Sequence, residues 1–155
     1  MTMYAASTDV SCDRSRAEID RIVTKYGATQ FMYGWQDQRA VVQFVCNGRH
    51  IRFELPLPKR DDPKFSRTPT GRIKKNQGSR EAAWEQSCRQ RWRALSLVIK
   101  AKLEAVQSGI TTFDDEFLAH IVLANNQTVG QCILPRLDTA ISGNVIAGLL
   151  PPPQK

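Results

Sequence analysis

The pair Asn47-Gly48 constrains this chain more than any other two residues. A type I′ turn needs positive φ at both central positions, and Asn-Gly meets that demand, so a two-residue hairpin is expected here. A turn of that length sets Cys46 opposite Arg49, Phe44 opposite Ile51, Val42 opposite Phe53 and Ala40 opposite Leu55, an almost entirely apolar face. The opposite face carries Val41, Gln43 and Val45 against Glu54, Arg52 and His50. A slip of one residue would turn Phe44 and Phe53 to water, so the register is well specified. Residues 29–33 are rich in β-formers, and residues 34–38 (Gly-Trp-Gln-Asp-Gln) read as a loop. The expectation is a three-stranded antiparallel meander with one face against helices and the other at least partly open.

Helical periodicity flanks this meander. Ser15 and Glu18 have the spacing of a capping box, and Ile19, Ile22, Val23 and Tyr26 follow as one apolar stripe before Gly27. A second, long helix is expected from Ser79 to Gly109. Its stripe is Trp84, Cys88, Trp92, Leu95, Ile99, Leu103 and Val106, whose steps of three and four average close to the helical repeat. Ala94, Val98, Ala101 and Ala105 form another stripe, which predicts burial of the C-terminal half on two sides. Thr111 to Glu116 has the acid-rich first turn of a short helix, and Thr128 with Gln131 resembles another capping box, opening a helix that Pro135 would kink or confine to two pieces.

The predicted fold class is therefore α+β: a short N-terminal helix, a three-stranded antiparallel sheet, a long helix packed on the sheet, then short C-terminal helices. At 155 residues this is one domain, expected over 14–143, with a flexible arm over 1–13 and an extended Pro-rich tail over 144–155. Residues 56–79 interrupt the domain as a long basic loop with four prolines, two glycines and almost no large apolar groups. Loops of that length are usually functional or disordered.

Charge is the main pointer to function. The chain carries +7, but residues 59–102 alone hold thirteen basic residues against four acids, leaving the remainder mildly acidic. Such a concentration attracts polyanions, although a merely solubilising surface accounts for it as well. The candidate phosphate contacts are Lys74, Lys75, Arg80, Arg89, Arg91 and Arg93, joined by Arg67 and Arg72 from the loop. Tyr33 and Trp35 lie beside the first sheet loop, where they could stack on unpaired bases. Trp84 and Trp92, on the apolar stripe, read as core.

Other chemistries find little support. There is no apolar run of about 18 residues to span a membrane, and residues 1–9 lack the pattern of a secretory signal, which predicts a cytoplasmic protein. Cys12, Cys46, Cys88 and Cys132 are scattered and read as small buried hydrophobes, and Cys46 and His50 are separated by the turn. Glu116 and His120 at i, i+4 would share a helix face and, with Asp114 and Asp115, could hold a cation; stabilisation of a helix N-terminus explains the acids equally well. Asp62-Pro63-Lys64 echoes the D-x-K element of some metal-dependent nucleases but sits in the Pro-rich loop rather than on a strand, with no convincing partner acid. No Gly-rich phosphate loop follows a strand and no nucleophile elbow occurs. The chain is expected to be no enzyme, with no cofactor and no metal.

Several stretches, among them residues 15–19 (Ser-Arg-Ala-Glu-Ile), 48–58 (Gly-Arg-His-Ile-Arg-Phe-Glu-Leu-Pro-Leu-Pro) and 84–95 (Trp-Glu-Gln-Ser-Cys-Arg-Gln-Arg-Trp-Arg-Ala-Leu), together with residues 100–113, resemble a family of small, largely uncharacterised proteins encoded by tailed bacteriophages and prophages. The resemblance implies a bacterial cytoplasm and early phage gene products, and carries over no active site. The order helix–strand–strand–strand–helix is also similar to that of double-stranded-RNA-binding domains, where Lys74, Lys75 and Arg80 would imitate phosphate contacts. It is similar as well to the core of single-strand annealing proteins, which form rings around DNA. The functional expectation is a non-enzymatic nucleic-acid-binding protein, acting on single-stranded DNA in phage replication or recombination, with homo-oligomers possible. The alternative is a host-takeover or anti-defence protein that binds a host protein or a signalling nucleotide.

Overall fold

The computed structural model describes residues 5, 8–36, 38–68, 70–73 and 76–143. Lys74, Lys75, the tail over 144–155 and residues 1–4, 6 and 7 of the expected arm lie outside these.

Helix α1 (Cys12–Lys25) opens one turn earlier than the capping-box spacing predicts. Ser11 is the N-cap and accepts from the Arg14 amide at 3.1 Å. Ser15 instead continues the apolar stripe, four residues before Ile19, and is fully buried, its hydroxyl without a partner among the described residues. Local capping chemistry yields here to the phase of the buried face. Tyr26 caps the other end and Gly27 turns away at φ +101°.

Strands β1 (Gln30–Gln36), β2 (Arg39–Cys46) and β3 (Arg49–Pro56) form one antiparallel sheet in chain order. Asn47 and Gly48 take φ of 52° and 71°, and the pairing of β2 with β3 has the expected register, Phe44 opposite Ile51 and Val42 opposite Phe53. Strand β1 is longer than expected. Gly34, Trp35 and Gln36 are strand rather than loop, paired with Val41, Ala40 and Arg39. The long partner strand overrides the weak β-propensity of Gly34, as sheet context commonly does.

Helix α2 (Gln77–Gln107), capped by Asn76 rather than Ser79, lies on the same sheet face as α1. Ala40, Val42, Phe44, Ile51 and Phe53 from the sheet meet Ile19 and Val23 of α1 and Trp92, Leu95, Ile99 and Leu103 of α2. The second α2 stripe is not buried: Val98 is 40% exposed and Ala101 exposed. Alanines bring little apolar area, so hydration of that flank costs little.

Helix α3 (Phe113–Phe117) is capped by Thr112 and closes the core end, Phe117 meeting Phe44 and Phe53 edge-on. A 3-10 turn (Leu118–His120) follows, and Val122 donates to the His50 carbonyl at 2.8 Å, covering part of the outer edge of β3. Helix α4 (Val129–Ser142) begins with the expected capping box of Thr128 and Gln131 and runs through Pro135 as one element. The chain is mixed α+β in the predicted order. Among the described residues no helix is long and apolar enough to cross a membrane.

Residues 56–79 have more structure than their composition predicts. Pro56 ends β3, Pro63–Ser66 form a 3-10 turn that buries Phe65, and Gln77–Ser79 begin α2. Trp84 Nε1 donates to the Pro58 carbonyl at 2.8 Å, tying the connection to α2.

Candidate nucleic-acid interface

An α-helix advances about 100° per residue, so the positions of the α2 arginines around its axis follow from their numbers. Arg89 and Arg93 flank the buried line of Cys88, Trp92 and Ile99 on the side facing α1. Arg80 and Arg91 lie roughly 170° round the axis, on the flank where the 56–76 connection runs. The arginines that sequence spacing groups into one basic end are divided by the structure between two surfaces.

The α1 side is the more uniformly basic. Arg93 donates to Glu18 at 2.5 Å, holding the two helices together. Around this pair Val10, Arg14, Ala17, Glu18, Arg21 and Arg93 line a cavity of about 340 Å³. Arg14 and Arg21 are exposed, and among the described residues neither has a carboxylate partner. Arg89, one turn before Arg93, is held by Gln86, whose Oε1 accepts from its Nε at 2.9 Å and its Nη2 at 2.6 Å. Gln86 in turn donates to the Thr8 carbonyl at 2.7 Å. The groove thus presents Arg14, Arg21 and Arg93 against the single lining acid Glu18, with Arg89 a turn away on the same side of α2. Arg14 and Arg21 went unnoticed in the sequence because they lie outside the basic 59–102 stretch. Their spacing of seven, which puts them on one helix face, was the available signal.

The opposite flank is of mixed charge. Arg60 pairs with Glu81 at 3.2 Å while its guanidinium lies 4.2 Å from the Trp84 ring centroid, and Lys64 pairs with Asp62 at 3.8 Å. Arg80 lines a cavity there with Asp61, Asp62 and Glu81. Arg67 and Arg72 stand exposed at the base of a turn closed by the Thr68 amide and the Arg72 carbonyl at 2.7 Å. Arg91 is half-buried, its Nε without a partner among the described residues.

The two expected stacking residues are strand residues. Tyr33 and Trp35 share one face of β1, 47% and 72% exposed. Tyr33 is already engaged: its ring meets Trp92 edge-on, and the Arg16 guanidinium lies 5.0 Å from both rings. Trp35 is the more accessible platform.

The acidic cluster is taken up in pairing. Asp114 receives both a 3.0 Å and a 2.9 Å bond from Arg49, which holds its carboxyl below the ordinary carboxylate value. Asp115 bonds the Thr112 hydroxyl, and Glu116 accepts from Lys102 at 3.1 Å. The helix ends at Phe117, so Glu116 and His120 do not share a continuous α-helical face, and His120 stacks on Phe53 at 4.0 Å. Among the described residues no group of acids, histidines and cysteines is arranged to hold a metal. Cys46, Cys88 and Cys132 are buried, and burial pushes the Cys88 thiol up to about 11.

Comparison of the chain with protein-family models, with curated proteins and with solved structures finds no match in any of the three.

Proposed function

We propose that the protein binds nucleic acid through the groove between α1 and α2, as a non-catalytic single-stranded-DNA-binding protein of phage replication or recombination. The observation that carries this reading is the convergence of Arg14, Arg21 and Arg93 on one cavity, with Arg89 a turn away and Glu18 the one acid among them. A single strand follows such a groove by phosphate neutralisation, and the exposed Trp35 ring offers a base a stacking surface. The phage setting comes from the sequence resemblance alone.

Fluorescence anisotropy of a labelled oligonucleotide tests the reading. Affinity should fall steeply between about 50 and 200 mM salt, by counterion release from the strand. Arg14→Ala with Arg21→Ala should weaken binding and flatten the salt slope by roughly 0.7 per lost phosphate contact. An affinity indifferent to salt, or unchanged in this double variant, contradicts the proposal.

A second reading rests on the size of the same cavity. Its volume of about 340 Å³ lies at the low end of small-molecule sites, which run to roughly 300–1,000 Å³. A phosphorylated ligand such as a signalling nucleotide would meet the same arginines. Natively purified, nuclease-treated protein that still carries a stoichiometric nucleotide, detected by mass spectrometry of the released ligand, favours this reading over the first.

A further inference from the structure

The backbone of β1 has one side without a partner. Cys46 and Arg49 flank a two-residue turn and so form a hydrogen-bonded pair, and bonding direction alternates along a strand. Ala40, Val42, Phe44 and Cys46 therefore bond toward β3, while Arg39, Val41, Gln43 and Val45 bond toward β1. Three observed bonds fit this alternation: Leu57 N to Gln38 O at 2.8 Å, Thr29 N to Val45 O at 2.9 Å and Val122 N to His50 O at 2.8 Å. The β1 partners of the second set are Gln36, Gly34, Met32 and Gln30. It follows that the N–H and C=O groups of Phe31, Tyr33 and Trp35 point out of the sheet. Among the described residues no backbone group bonds to them.

Edge strands are ordinarily blunted by lysine, proline, a bulge or a covering segment. Gln30–Gln36 has no charged residue and no proline, is regularly paired along its length, and leaves Met32 at 56% and Trp35 at 72% exposure. The outer edge of β3, by contrast, is partly covered by Ile121 and Val122.

We infer that the edge of β1 pairs with the same edge of a second copy of this chain, antiparallel, about a two-fold axis through Tyr33. Tyr33 is the midpoint of the strand, so this register overlaps all seven residues. It sets Tyr33 opposite Tyr33 of the second copy and Phe31 opposite its Trp35. Each of these is a hydrogen-bonded pair, since only outward-pointing residues meet. Opposed residues of antiparallel strands share a face, so the aromatic side of β1 lies against its own copy. The contact is isologous and closes at two chains. Phe31 is already half-buried and Tyr33 is 47% exposed within one copy, so the seam removes well under the ~1,200 Å² of a standard specific interface and backbone hydrogen bonds carry much of the pairing. Association is therefore concentration-dependent. The two-fold axis stands normal to the sheet, so the helices of both copies lie on one side of a continuous six-stranded sheet. The pairing does not depend on the nucleic-acid reading; in the two-chain species Trp35 is taken up at the seam, so base stacking on it belongs to the single chain.

Sedimentation velocity over a concentration series, with amide hydrogen exchange on the same samples, tests the inference without any ligand. The wild-type chain should pass from one chain to two as concentration rises, with the amides of Phe31, Tyr33 and Trp35 becoming protected only in the two-chain species. The Trp35 amide makes no bond within the sheet, and proline is accepted on sheet edges, so Trp35→Pro should stay folded and remain a single chain. Trp35→Lys, at an exposed position, should do the same by placing charge at the seam. A wild type that stays a single chain throughout overturns the inference. So does a two-chain species in which these three amides exchange freely, or one that persists in both variants.

Discussion

Glu18 of α1 accepts a 2.5 Å hydrogen bond from Arg93 of α2, across 75 residues of chain, with side chains only 19% and 23% exposed. The pair couples packing to electrostatics, because it joins the two helices and supplies the one carboxylate lining the groove between them.

Replacing that carboxylate should move the two properties in opposite directions. Glu18→Gln keeps a hydrogen-bond acceptor but loses the charge assistance, at a cost of roughly 1–2 kcal/mol for a partly buried pair. Oligonucleotide affinity should rise, since Arg93 is released and the groove gains a unit of positive charge. Urea unfolding and anisotropy on the same variant check both halves; unchanged or weaker binding would remove the groove from the interface.

His120 gives stability an acid dependence with a defined sign. Burial against Phe53, followed by the nearby Lys102, lowers its pKa from the ordinary 6.5. The unfolded chain therefore binds a proton more readily than the folded one, and the slope of stability with pH is positive between the two values. The contribution is fully present above pH 6.5 and is lost as pH falls through the lowered value. His120→Phe should keep a ring on Phe53 and remove this part of the acid sensitivity. Thermal melts of both proteins from pH 7 downward should diverge below 6.5.

Gly130 lets α4 seat against the 3-10 turn before it. A Cβ at this position would lie 2.9 Å from the Ala119 carbonyl oxygen, which belongs to backbone and cannot swing aside. Gly130→Ala should destabilise by about 1–3 kcal/mol despite the better helix propensity of alanine, the cost of forcing an extra carbon into a packed contact. Chemical denaturation measures it, and faster hydrogen exchange should be concentrated in α4.

The elements readable from sequence are those whose instructions are local. The Asn47-Gly48 turn and the alternation around it state both the hairpin and its register, and the Thr128–Gln131 box states the start of α4. Ser15 misled because its capping signal competed with a buried stripe, whose phase only tertiary packing reveals. Trp35 misled because glycine and glutamine neighbours look like a loop until a partner strand of eight residues is laid beside them. At the candidate site, charge density along the chain located the arginines of α2 but not the surfaces they share. Arg89 and Arg93 are consecutive in spirit with Arg91, yet the helical repeat sends Arg91 to the other flank. Their actual companions, Arg14 and Arg21, are brought in by the packing of α1, which no spacing within α2 encodes.

Ser15 and Ser96 are fully buried on two helices packed against one another, and neither hydroxyl has a partner among the described residues. Interhelical distance follows the size of side chains at the contact, commonly about 8–10 Å between axes. The gauge between the arginine rows of α1 and α2 is thus governed by side-chain volume at positions that bear no charge. A larger or smaller residue at Ser15 or Ser96 would reset that spacing with every arginine left in place.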